Sequence, residues 1–174
     1  KTGGGLTIVT DPFDATVGYP LVTVRADIAT MSHDHFDHNH TQSLTGPARV
    51  IRDLGAHEEG GVKITGIATK HDEKGGALRG DNIVYVIEAD GLRLCHLGDL
   101  GHLLSKAQIA QIGPVDVLFL PVGGVFTIDA KQAAATLDAL RPRLTIPMHY
   151  KTPQEKAPIG PVEPFLALTG GGHA

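Results

Sequence analysis

His33, Asp34, His35, Phe36, Asp37 and His38 form one unbroken run, with three imidazoles and two carboxylates in six residues. Imidazole nitrogen and carboxylate oxygen are the donors that suit zinc, manganese or iron. The run follows Asp27–Met31, an apolar stretch that reads as a strand. In extended backbone, residues two apart point to the same side, so His33 and His35 can reach one ion. The chain then turns, and Asp37 and His38 can serve a neighbouring position. A packed core does not accept so many polar groups without partners, and a bound metal would supply them.

A metal site needs further ligands. His71 follows the apolar run Val62–Thr69, Asp99 follows Leu92–Leu97, and His149 follows Leu144–Ile146. All three sit just past a strand, where sites gather in layered α/β folds. A carboxylate has two oxygens, so Asp99 could bridge two ions about 3.5–4 Å apart.

The elements that must position these residues are legible as short apolar runs between Gly, Pro and Asp. Besides those named, Leu6–Thr10, Ala48–Ile51, Asn82–Glu88 and Asp116–Leu120 read as strands. Asp90-Gly91, between two of them, signals a hairpin. Ser105–Ile112 and Asp129–Leu140 read as helices with N-caps at Ser105 and Asp129, and they stop before Pro114 and Pro142. A third, shorter helix is expected after Phe36. The later β-α-β-α-β order predicts a layered α/β domain with a mixed sheet or two sheets. With 174 residues and no repeat or linker, residues 1–174 read as a single domain.

Composition narrows the function. The net charge is −4 with no Lys/Arg run, so nucleic acid is not an expected partner. No apolar stretch approaches the roughly 20 residues that span a bilayer. Cys95 is the one cysteine, so no intrachain disulfide forms; with no visible signal peptide, a cytoplasmic location is expected.

Several other residues have both a plain and a functional reading. His96 and His102 flank Asp99 and read first as structural. Asp34 and Asp72 could orient a neighbouring imidazole or simply make a turn. Arg79, in a Gly-rich loop, could meet an anionic group of a substrate. Tyr150 could donate to a developing oxyanion, although tyrosines beside strands more often pack. Gly123-Gly124 suggests a tight loop near the site. Cys95 reads as a small buried apolar residue, and His173 as part of a frayed end.

The ordered set His33, His35, Asp37, His38, His71, Asp99 and His149 resembles the metallo-β-lactamase superfamily, with its His-x-His-x-Asp-His signature and later His, Asp and His. Three segments are similar to the branch of small metal-dependent hydrolases related to ascorbate-6-phosphate lactonase: Ser32–Asn39, Leu97–Gly101 and Ile146–Tyr150. So are Thr10–Phe13 and Gly75–Gly80. Members of that branch usually carry an additional strand at the start and continue past the last His, so an N-terminal strand and a C-terminal segment are expected to be missing here.

The resemblance implies an αββα sandwich of two mixed sheets flanked by helices, with the metals at one edge. It implies two divalent ions, Zn2+ first and Mn2+ or Fe2+ as alternatives. One ion would take His33, His35 and His71; the other would take Asp37, His38 and His149; Asp99 would bridge. Asp37 and Asp99 are the candidate catalytic carboxylates, and a metal-bridging hydroxide would be the nucleophile. The implied reaction is hydrolysis of a small-molecule lactone, ester or phosphoester. A phosphodiesterase or nuclease on the same scaffold and a non-catalytic metal-binding sensor are the alternatives. Membrane is not an expected partner, and self-association into a homo-oligomer is compatible with the sequence.

Overall fold

A computed structural model describes residues 1–21 and 23–171. His173 lies outside the described residues. The strands are β1 (Ile8–Thr10), β2 (Val24–Arg25), β3 (Ile28–Thr30), β4 (Leu44–Thr45), β5 (Arg49–Ile51), β6 (Gly55–Glu59), β7 (Val62–Lys70), β8 (Asp81–Ala89), β9 (Leu92–His96), β10 (Val117–Pro121) and β11 (Leu144–Met148). The α-helices are α1 (Lys106–Ile112), α2 (Ala130–Leu140) and α3 (Glu163–Thr169).

Two sheets carry the architecture. The larger has the order β11-β10-β9-β8-β7-β6 and is mixed: β9, β10 and β11 run parallel, while β6 to β9 pair antiparallel. The smaller, β1-β3-β5, is parallel throughout, and β2 pairs with β4 in a short separate ladder. Strand β8 shows why the sheets stack. Val84 and Val86 enter one core cluster, while Tyr85 and Ile87 enter another. That period of two, apolar on both faces, marks a strand covered on both sides. Ile28 of β3 and Ile51 of β5 fill the cluster between the sheets. Ile112 of α1, Ala133 and Leu140 of α2, and Phe165 of α3 fill the other. The Tyr85 hydroxyl lies 3.0 Å from the Met31 carbonyl and 3.1 Å from the Ile51 carbonyl, tying the two sheets together in the interior.

Local chemistry explains the boundaries. Asp90 (φ 54°) and Gly91 (φ 75°) make the left-handed pair of a type I′ turn between β8 and β9. Ser105 with Gln108, and Asp129 with Gln132, close capping boxes on α1 and α2. Three features differ from the sequence reading. After Phe36 there is no α-helix: His38 N–H bonds the His35 carbonyl in a single turn, and His40 N–H then donates to the Pro12 carbonyl, drawing the chain away. Only one 3-10 turn follows, at Thr41–Ser43. Strand β6 is not among the strands expected from the sequence, because Gly-Ala-His-Glu-Glu is mostly polar, as befits an edge. Helix α3 follows a segment punctuated by Pro153, Pro158, Gly160 and Pro161, and only its Phe165 is buried. Among the described residues, no helix is long and apolar enough to cross a membrane.

Candidate metal centre

The ends of five strands converge at one edge of the sheets. Strand β1 leads to Asp11, β3 to His33, His35, Asp37 and His38, β7 to His71, β9 to Asp99, and β11 to His149. Several of these positions need unusual backbone. Asp11 (φ 44°) and His149 (φ 52°) both adopt the left-handed region, which costs a non-glycine residue about 1–2 kcal/mol. A Cβ on Gly101 would sit 2.2 Å from the His71 carbonyl carbon, and one on Gly123 would sit 2.2 Å from the His149 carbonyl oxygen. Glycine at these two places lets the ligand-bearing segments close up.

The sequence-derived residues meet as follows. His33, His35 and His71 each offer a ligand atom within 4.8 Å of the others, and so do His38, Asp99 and His149. Asp99 lies between the sets: His71 Nε2 and His149 Nε2 are 3.3 Å and 3.4 Å from Oδ2, and His38 Nε2 is 3.4 Å from Oδ1. Asp37 stands at the margin, with Oδ2 3.6 Å from His38 Nε2 and a side chain 30% exposed. A third convergent set, Asp11, His33 and His38, was not singled out from the sequence.

These residues fit divalent ions. His33 Nε2 and Asp99 Oδ1 are buried without a hydrogen-bond partner. Leaving such atoms unsatisfied costs about 1–3 kcal/mol each, which a shared cation would remove. The imidazole and carboxylate donors are those of zinc, manganese and iron sites.

Buried acceptors prepare the imidazoles. Asp11 accepts from Ser32 N (2.7 Å) and Ser32 Oγ (2.5 Å), and its Oδ2 is 3.0 Å from His38 Nδ1. Because Ser32 gives its proton to Asp11, His33 Nδ1, 2.9 Å away, must be the donor to Ser32 Oγ. His33 and His38 therefore both hold a proton on Nδ1 and direct Nε2 inward, and the Nε2 of the neutral His33 is bare. Asn82 Oδ1 accepts from Asp99 N (2.9 Å), while its amide donates to Thr69 Oγ1 and the Leu97 carbonyl, fixing the Asp99 backbone.

The electrostatics follow from burial and neighbours. Burial lowers the His33 pKa to about 3, aided by His38. Burial also opposes charge on His38, but Asp99, Asp11 and Asp37 outweigh it and raise its pKa to about 9. His149 is likewise raised, by Asp99 against its own desolvation. Burial would raise Asp99, yet His38 and His149 hold it well below the usual carboxylate range.

The remaining residues fall on both sides of their alternatives. His96 accepts from Gly98 N (3.2 Å), and His102 bridges Lys70 N and the Leu103 carbonyl; both are structural. Asp34 accepts from Asn39 at an exposed turn. Asp72 accepts from the backbone N–H of Lys74, Gly76, Leu78 and Arg79 at 2.7–2.9 Å, which shapes the whole Gly-rich loop. Arg79 reaches the site, lining a cleft of about 860 Å³ whose floor includes His35, Asp37, His38, His71, Asp99 and His149. Tyr150 corrects its functional reading: it packs against the helix-side core and is not among the residues lining that cleft. Burial pushes the Cys95 thiol up to about 12, so it is an inert apolar residue.

Stacked sheets with helices on the outer face, and a His/Asp cluster at the strand ends, define a metal-dependent hydrolase of the metallo-β-lactamase type. Residues 1–149 match the beta-lactamase superfamily domain, and the chain belongs to that family. A UPF0173 metal-dependent hydrolase of Thermococcus onnurineus is 30% identical over 179 residues, covering 86% of this chain and 79% of the relative. Among solved structures, a Thermotoga maritima protein assigned to the Zn-dependent hydrolases of the metallo-β-lactamase superfamily is 45% identical, with a TM-score of 0.79 over 97% of this chain and 78% of that one. Igni18, a metallo hydrolase of Ignicoccus hospitalis, shares the fold at 22% identity, with a TM-score of 0.61 over 83% of this chain and 72% of that one.

Proposed function

We propose that the protein is a dinuclear metallo-hydrolase of lactones or carboxylic esters. One ion is held by His33, His35 and His71; the other by Asp37, His38 and His149; Asp99 lies between them. The observation that carries this reading is the convergence of His33, His35 and His71 beside that of His38, Asp99 and His149, with His33 Nε2 and Asp99 Oδ1 buried and without a hydrogen-bond partner. Zinc is the ion we expect, and manganese or iron suits the same donors. Divalent ions bound there would polarise the substrate's carbonyl and activate water. The chain's own residues do the rest. Asp11 and Ser32 hold two imidazoles in the metal-binding tautomer, Asn82 fixes Asp99, and the cleft seats the substrate over the cluster.

Carbonyl esters are favoured over phosphodiesters because, among the described residues, Arg79 and Lys156 are the Arg and Lys side chains that line the cleft, too few to follow a nucleic-acid backbone. The test is elemental analysis of untagged protein, followed by lactone and ester hydrolysis with each ion. About two equivalents of metal with metal-dependent turnover supports the reading. Protein that binds no ion under any loading condition overturns it.

A further inference from the structure

The cleft over the His/Asp cluster offers both aromatic and cationic surface. The chain has five Phe, three Tyr and no Trp, and half of those aromatics, Phe13, Tyr19, Phe36 and Phe126, line this one cleft. They come from three stretches of the chain, with Phe13 and Tyr19 in one, Phe36 in the next and Phe126 far beyond, so folding brings them together. Phe36 is 60% exposed although it sits inside the ligand run. Large apolar side chains held open to a cleft mark a surface for an apolar ligand body.

Arg79 is the second feature. Arg25, Arg49, Arg52, Arg93 and Arg143 each lie 2.7–3.8 Å from a carboxylate oxygen. Arg79 and Arg141 have no such partner among the described residues, and of the two it is Arg79 that lines the cleft. Its backbone N–H is fixed by Asp72 at 2.8 Å, and its guanidinium lies 5.3 Å from the Phe126 ring centroid. A guanidinium stacked on an aromatic face keeps its in-plane N–H donors free for a carboxylate or phosphate. Glu155, another acid of the lining, accepts from Ala157 N at 2.7 Å.

We propose that this site takes substrates with an apolar aryl or acyl body and one anionic group, the body against the aromatic side chains of the lining and the anion on Arg79. This rests on the hydrolase reading for the bond that is cleaved, but the recognition belongs to the chain alone. It disfavours small polar sugar esters, which would leave those aromatic side chains in water.

Calorimetric titration with 4-phenylbutyrate, 4-phenylbutan-1-ol and butyrate tests it, on zinc-loaded and on chelator-treated protein. Phenylbutyrate should bind about tenfold tighter than either of the others in both forms, as a charge-assisted contact and a buried ring each allow. Arg79→Gln should erase the advantage over the alcohol, and Arg79→Lys should keep part of it. The proposal is overturned if the advantage survives Arg79→Gln, if Lys156→Gln removes it instead, or if it vanishes with the zinc, since the carboxylate would then be a metal ligand. Phenyl esters with and without a terminal carboxylate separate the two readings. The expected binding order without turnover of either ester sinks the hydrolase reading and leaves the subsite standing. Equal turnover of both esters, with phenylbutyrate no tighter than butyrate, sinks the subsite and leaves the hydrolase.

Discussion

Asp11 Oδ2 lies 3.0 Å from His38 Nδ1, and through Ser32 the same carboxylate also orients His33. An acceptor-only group behind an imidazole fixes which nitrogen keeps the proton. Asp11→Asn should therefore be damaging although it is isosteric. Its amide would donate to His38 Nδ1 and move the proton to Nε2, where an ion must bind. Metal affinity should fall about 10–100-fold, measured by competition with a chromophoric chelator, while the far-ultraviolet circular dichroism stays native. Unchanged affinity would show that Asp11 has only a packing role.

Metal and protons compete at His38. Its pKa in the ion-free protein is raised to about 9, above the ordinary 6.5, so it is protonated at neutral pH and the proton must leave when metal enters. The sign follows: lowering the pH favours the competitor. Zinc affinity should drop about tenfold per pH unit for this one proton, or roughly a hundredfold from pH 8 to pH 6, and His149 shifts in the same direction. Chelator competition at several pH values measures the slope. A flat profile would remove His38 from the ligand set.

Asp72 should govern the loop that presents Arg79. Burial alone would raise its pKa, but four backbone donors outweigh it and bring the value to about 2, below the ordinary 3.8. Its hydrogen bonds should therefore hold above pH 3.8 and fail only as the pH falls through about 2. Asp72→Ala removes them at every pH. Amide exchange at Lys74, Gly76, Leu78 and Arg79 should then speed up about tenfold or more, with β7 and β8 unaffected. Exchange that stays slow would mean the loop is held by something other than this carboxylate.

Much of this was readable in the sequence, and the exceptions share a cause. The His/Asp run, the three distant residues His71, Asp99 and His149 that fold against it, and the long strands β7 and β8 are written in residue type, spacing and period. The role of Asp11 is not, because it depends on pairing between strands. Thr10 of β1 sits beside Thr30 of β3 in parallel register, so the residues that follow, Asp11 and Ser32, emerge together. Linear spacing holds no trace of that. The aromatic lining is hidden for the same reason, since Phe13, Tyr19, Phe36 and Phe126 meet only after folding. The edge strand β6 leaves no mark in the sequence, and a single turn replaces the helix expected after Phe36, because tertiary contacts, rather than local propensity, decide both.

Gly123 should prove as important to the centre as a ligand. Parallel pairing of Pro121 with Met148 carries β10 and β11 to the site in step, and Gly123 then lies against His149. A methyl at Gly123 would approach the His149 carbonyl oxygen to 2.2 Å and the Tyr150 Cα to 3.1 Å. Both contacts are with backbone, so no side-chain rotation relieves them. Gly123→Ala should cost about 1–3 kcal/mol, or roughly 2–4 °C in melting temperature for each kcal/mol, and should push His149 away from Asp99. Because His33, His35 and His71 stand on other segments, elemental analysis should show one ion lost and one kept. Gly55→Ala is the control: its φ of 90° imposes strain, but nothing lies within 4 Å of the added carbon, and both ions should remain. If Gly123→Ala kept both ions and its melting temperature, His149 would not depend on that close approach, and its place in the ligand set would need another support.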